Sequence, residues 1–170
     1  RPTATLLPPA YPVAGRLRLA KRVRHTRCAS FVTHLECANC GKQFTAGQPH
    51  NLCIDCQRPL WVRYDLDAVK SAFPRERLAK RPADLWRYRE LLPYADPANV
   101  VSLGETMTPI LSTPRLGAEL GLDNLLFKDE SRLPTGSFKA RGMALAITMA
   151  NEFGIRRVAC PTAGNAGGAM

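Results

Sequence analysis

Asn124-Leu125-Leu126-Phe127-Lys128, then Ser137-Phe138-Lys139-Ala140-Arg141-Gly142 and the apolar-periodic run after it, then Arg157-Val158-Ala159-Cys160, is the stretch that decides the fold. The first segment reads as a buried strand. Asp129 to Gly136 reads as a loop, and Ser137 as the N-cap of a helix over about 138–153 that Gly154 stops. Residues 157–160 read as a second short strand, and Pro161 to Gly168 as a glycine-rich turn. This order, strand, loop, helix, strand, loop, is the unit of an α/β fold: an open parallel sheet with helices on both faces. Ligands of such sheets collect at the carboxyl ends of the strands, where the loops 129–137 and 161–168 are both expected.

Lys139 falls in the first turn of the expected helix. A cation there opposes the helix dipole, at a cost of roughly 0.3–1 kcal/mol, and surface lysines are better placed at the other end. A neutral amine is what a nucleophile forming an imine with a carbonyl requires, so Lys139 is a catalytic candidate. In the second loop, Thr162-Ala163-Gly164-Asn165-Ala166-Gly167-Gly168 exposes backbone N–H groups where a helix should begin, an arrangement suited to a carboxylate or phosphate. Asn165 can both donate and accept within it.

Working outward toward the N-terminus, Pro114 to Leu122 reads as a short helix with Leu116 and Leu120 four apart. Leu85 to Leu92, opened by Asp84 and closed by Pro93, reads as a helix with Leu85, Tyr88, Leu91 and Leu92 on one face. Residues 66–82 read as a basic, Pro-punctuated surface connection, and Pro59 to Tyr64 as a short strand. Before these stand Cys37-x2-Cys40 and, after twelve intervening residues, Cys53-x2-Cys56. Two such turns complete a tetrahedral four-thiolate site for Zn(II), with Zn–S near ~2.3 Å. Gly41 suits the left-handed position that follows the first turn, whereas Gln57 holds the same place after the second. Disulfides and an iron site are the alternatives to zinc, and His34 and His50 flank the array. Four thiolates close the coordination shell, so the metal's role is structural and supplies folding energy to a module too small for a core.

Of the 170 residues 24 are Lys or Arg and 14 Asp or Glu, a formal net charge of +10. Seven of the basic residues and none of the acids lie within residues 1–30. The basicity therefore belongs to a leading arm, expected to be disordered because it is rich in Pro and Arg. Apolar residues at 45% suit a globular chain and exclude collagen and wholesale disorder. No run of 18 apolar residues exists, which excludes a membrane-spanning helix. A zinc-ribbon nucleic-acid binder is the competing class; the arm lacks interleaved aromatics and the ribbon is not strongly basic, so nucleic acid is not an expected partner. The division expected is a leader over 1–34, the four-cysteine module over 35–62, a linker and helix over 63–100, and the start of a catalytic domain over 101–170.

Lys128-Asp129-Glu130, with Pro134-Thr135-Gly136-Ser137-Phe138-Lys139-Ala140-Arg141-Gly142, resembles the cofactor-lysine motif of the fold-type-II pyridoxal-phosphate enzymes. Thr162-Ala163-Gly164-Asn165-Ala166-Gly167 resembles their substrate-carboxylate loop. The threonine synthase branch is the nearest likeness, through the cysteine ribbon with Pro59-Leu60 and Tyr64-Asp65 after it, Trp86 to Pro93, and Leu103-Gly104-Glu105-Thr106-Met107-Thr108-Pro109. Two departures stand out: Ala140 where an Asp commonly follows the lysine, and Met107 where a small or polar residue is commoner. Lys-Ala-Arg-Gly also occurs in threonine dehydratases, the alternative within the fold.

The resemblance implies a cytoplasmic lyase, dimeric when complete, that converts O-phospho-L-homoserine and water to L-threonine and phosphate. It implies that Lys139 carries pyridoxal 5′-phosphate covalently, that Phe138 and Asn165 contact the cofactor, and that Thr162, Ala163, Gly164 and Asn165 bind the substrate. It also implies a cofactor-phosphate loop and a pyridine-nitrogen partner beyond Met170, so the 170 residues read as an inactive piece of a longer protein.

Overall fold

A computed structural model describes residues 30–170; the expected basic leader lies, but for Ser30 to His34, outside the described residues. Three antiparallel strands form the N-terminal module: β1 (Val32–Cys37) lies between β2 (Gln43–Phe44) and β3 (Leu60–Tyr64). Leu35 faces Phe44 on one side and Val62 on the other, and the β1–β3 register slips between Val32 and His34. β1 thus starts inside the stretch assigned to the leader. Ser30 and Phe31 tie the module to the rest: the Ser30 hydroxyl donates to the Leu92 carbonyl at 2.8 Å, and the Phe31 N–H to Glu90 O at 3.3 Å.

The surface connection expected over 66–82 is instead two short helices, α1 (Leu66–Ala72) and α2 (Arg75–Ala79). Asp65 caps α1 by accepting the Ala68 N–H at 2.9 Å, and Val69 is its buried anchor. Leu85–Leu91 forms a 3-10 segment kinked at Tyr88, not a regular helix. Its buried residues are Arg87 and Glu90, while Tyr88 is exposed, which corrects the expected apolar face. The physical reason is pairing. Arg81 donates to both Glu90 carboxylate oxygens at 2.7 and 2.6 Å, and Arg87 donates to Leu78 O at 2.5 Å, so these charged groups can leave water.

β4 (Ile110–Ser112) pairs antiparallel with β5 (Leu126–Lys128) across α3 (Pro114–Leu120), which Gly121 ends in the left-handed conformation. The strand expected to be buried is exposed: nothing among the described residues covers either face of this ribbon, and Ile110, Leu126 and Phe127 are more than half exposed. Leu116 and Leu120 of α3 are exposed as well. Every strand pair among the described residues is antiparallel. Residues 157–160 form no strand, because no neighbouring strand is there to receive their ladder bonds.

α4 (Lys139–Glu152) is the central helix, followed by Gly154 at φ +69°, and α5 (Asn165–Ala169) closes the described chain. α4 turns Ala140, Ala144 and Thr148 inward at four-residue spacing. Thr148 accepts the Val101 N–H at 3.0 Å, and Glu152 accepts from Asn99 Nδ2 at 2.6 Å, so residues 96–101 are strapped along the helix. No helix among the described residues is long and apolar enough to cross a membrane.

Candidate functional site

Two sites take shape. In the N-terminal module the two cysteine turns are built alike. The Cys37 N–H donates to Lys42 O and the Gly41 N–H back to Cys37 O; Cys53 with Arg58, and Gln57 with Cys53, repeat the pattern. Each turn needs a left-handed residue after its second cysteine: Gly41 at φ +73° and Gln57 at φ +54°, the one non-glycine in that region among the described residues.

Folded this way, Cys37, Cys40, Cys53 and Cys56 bring their sulfurs within 4.8 Å of one another, all as free thiols. The Sγ separations of 3.3 Å (Cys37–Cys56), 3.6 Å (Cys40–Cys53) and 3.7 Å (Cys40–Cys56) lie close to the edge of a zinc tetrathiolate, about 3.8 Å for bonds of about 2.3 Å. The Cys40 N–H and, against burial, the Asn39 N–H bring the Cys37 thiol down to about 6. Against the pull of the Lys42 N–H, hydrogen bonding with the Cys37 thiol pushes Cys40 up to about 12. A divalent metal bound by these sulfurs would displace the thiol protons. His34 and His50 stand apart from the cluster: His34 Nδ1 meets the Thr33 hydroxyl at 2.9 Å, and His50 Nε2 meets Thr45 O at 2.9 Å.

The second site is a cleft of about 390 Å³ lined by Lys139, Pro161, Thr162, Ala163, Gly164, Asn165 and Ala166. The lysine and the glycine loop, 26 positions apart at Asn165, are brought together here. Lys139 is the first residue of α4, and its Nζ lies 4.6 Å from the centroid of the exposed Phe138 ring. The expected cap is not made. Phe138 already has helical dihedrals and occupies the N-cap position, and the buried Ser137 hydroxyl has no hydrogen-bond partner.

The other loop is organised by a hydroxyl that sequence reasoning assigned only to substrate. Thr162 Oγ1 accepts the N–H of Gly164 at 3.0 Å and of Gly167 at 3.1 Å. Gly164 sits at φ +146°, a conformation side chains rarely adopt, and a Cβ on Gly167 would meet Thr162 Cγ2 at 2.6 Å.

Behind Lys139 lies an ion-pair cluster that the motif spelled but whose function its residue types did not disclose. Arg141 Nε donates to Glu130 Oε2 at 2.8 Å and its Nη2 to Thr106 O at 2.9 Å. The Thr108 hydroxyl also donates to Glu130, and Lys128 donates to Thr108 O at 3.1 Å. The Arg141 guanidinium and, against burial, the Thr108 hydroxyl hold the Glu130 carboxyl down at about 2.

Comparison with known proteins bears on the second site. Residues 101–170 match the family model described as pyridoxal-phosphate dependent enzyme. The chain is 40% identical over 129 residues to a threonine synthase of Methanocaldococcus jannaschii, an alignment covering 76% of the chain and 32% of that protein. It is 35% identical over 137 residues to a threonine synthase of Methanosarcina acetivorans (81% and 33%), and 43% identical over 79 residues to one of Synechocystis (46% and 21%). The chain spans about a third of the length of the two archaeal relatives. No solved structure matches. Residues 101–170, which hold Lys139 and the glycine loop, are thus similar to the pyridoxal-phosphate dependent enzyme family, and the named relatives to which the chain is similar are threonine synthases.

Proposed function

We propose that the protein carrying this chain is a pyridoxal-phosphate-dependent carbon–oxygen lyase of the threonine synthase type, taking O-phospho-L-homoserine and water to L-threonine and phosphate. The observation that carries this reading is the shared cleft of Lys139 and the Thr162–Ala166 loop, a nucleophilic amine facing a run of backbone donors. Both groups suit the cofactor: an amine for its aldehyde, and N–H groups beside it for a carboxylate. When bound, the cofactor supplies the electron sink for elimination of the γ-phosphate.

Lys139 would anchor the cofactor covalently and, once released by substrate, move protons at Cα and Cβ. Phe138 would pack beside the cofactor and Asn165 would hydrogen-bond its ring oxygen. Thr162, Ala163, Gly164 and Asn165 would hold the substrate carboxylate, with a rotation of Thr162 releasing the Gly164 N–H it now occupies. β5, α4 and residues 157–160 would contribute to an open parallel sheet with helices on both faces, in a catalytic domain beginning near residue 101. Ahead of it, residues 35–62 would form a ribbon holding one structural zinc on Cys37, Cys40, Cys53 and Cys56, and 63–100 the connection. The proposed setting is the cytoplasm, as a homodimer.

The test is made on the protein at the full length of its relatives, loaded with pyridoxal phosphate. Phosphate and L-threonine should appear in equal amounts from O-phospho-L-homoserine, and Lys139→Ala should abolish both. Ammonia release from L-threonine with no phosphate release from O-phospho-L-homoserine would move the assignment to a dehydratase.

A further inference from the structure

α4 begins without the support a helix start ordinarily has. The Ser137 hydroxyl makes no hydrogen bond, and Ser137 O and Phe138 O join the first turn through long bonds from the Ala140 and Arg141 N–H groups, both 3.3 Å. Yet the candidate cofactor lysine is the first residue of this turn. Something else must fix it.

Arg141 lies two residues on, about 200° around the helix from Lys139 at 3.6 residues per turn. While Lys139 faces the cleft, Arg141 reaches the other way, and its guanidinium forks onto Glu130, Nε to Oε2 at 2.8 Å and Nη2 to Oε1 at 3.2 Å. The same Nη2 donates to the Thr106 carbonyl at 2.9 Å. Glu130 is held in turn by the Thr108 hydroxyl, with the Lys128 ammonium 3.9 Å from Oε1. Thr106 belongs to a segment bridged to Asp84 and bonded through the Met107 N–H to Ala83 O, so the anchor reaches the body of the protein. The fork is planar and rigid, which fixes orientation as well as distance.

We infer that Glu130 and Arg141 are positioning residues: their fork anchors the uncapped first turn of α4 from behind and so aims Lys139 at the Thr162–Ala166 loop. This inference rests on the proposed role of Lys139.

The test uses the full-length, cofactor-loaded enzyme and the variants Glu130→Gln and Arg141→Lys, which remove a charge or the fork with little change in volume. Arg132→Lys, at an exposed pair with Asp129 on the same loop, is the control expected to behave as wild type. Displacing Lys139 by up to about 1 Å should lower kcat by up to about 10²-fold in both variants with KM little changed. It should also shift the pH profile of the visible cofactor band, which a loss of stability alone would leave in place.

Borohydride reduction of the wild type keeps the two readings apart. A label on a lysine other than Lys139 overturns the lysine assignment and, with it, this inference. A label on Lys139, with kcat and band profile unchanged in the variants, overturns the positioning role and leaves the lysine assignment standing. If one variant does not fold, the other decides by the same readouts. Failure of both to fold makes the pair structural and also overturns the inference.

Discussion

Stripping metal from the four-cysteine module, or replacing Cys53 by Ser, should unfold residues 37–58 and leave α4 folded. Between residues 30 and 64 the buried side chains are Cys37 and Cys53 alone; Leu35, Phe44 and Val62 are only partly buried. A fully buried Leu or Val contributes about 1.5–3 kcal/mol, and this module has none. A structural zinc contributes about 10–16 kcal/mol, comparable to the whole stability of a domain at about 5–15 kcal/mol. A zinc held there would therefore outweigh every other contribution in the module. Cys53→Ser removes a candidate ligand with no solvent exposure, and among the described residues no other donor joins the cluster to replace it. Elemental analysis should give one zinc per chain, falling to zero in Cys53→Ser. Limited proteolysis after strong chelation should cut within Gln43 to Arg58, while hydrogen exchange in α4 stays slow. Native disulfides among the four cysteines with no metal, or full protease protection after chelation, would refute this reasoning.

Arg81→Met should leave the largely buried Glu90 with only the longer, half-exposed Arg89 contact at 3.5 Å; a loss toward the low end of about 3–5 kcal/mol is expected, read as a shift in denaturant midpoint. Gly167→Ala should force Thr162 out of its place in the loop, and so move a proposed substrate contact and weaken substrate binding more than cofactor binding, checked by titrating each. Because the Glu130 carboxyl lies near 2 in the folded chain and near 4.5 otherwise, its pair contributes fully above about pH 4.5 and is lost as pH falls toward 2. Melting temperature should fall with acid over that window, and the fall should be shallower in Glu130→Gln.

The cysteine turns were legible because metal geometry fixes spacing directly: two-residue gaps, a left-handed residue after each turn, and little else. The sequence places Lys139 and the Thr162–Ala166 loop together at the ends of two parallel strands; they do share a cleft, but with no strand at 157–160. Burial over residues 85–92 was not, since Arg87 and Glu90 go inside through partners, Leu78 and Arg81, that hydrophobic periodicity does not register. The cap at Ser137 failed because Phe138 already turns with helical dihedrals, so the hydroxyl points past the N–H groups it was expected to receive. α1 was hidden in a stretch punctuated by Pro74 and Pro82, although Asp65 three residues before Ala68 is a capping signal. For residues 157–160, strand character in sequence does not make a strand; a neighbour must supply the hydrogen bonds.

The functional assignment stands or falls on one lysine. Full-length protein loaded with pyridoxal phosphate should be reduced with borohydride, digested, and the modified peptide located by mass spectrometry. The label is predicted on Lys139, within the tryptic peptide that follows Arg132 and contains Ser137. A label on any other lysine, or no covalent label after reduction, would contradict the assignment of this cleft as the cofactor site.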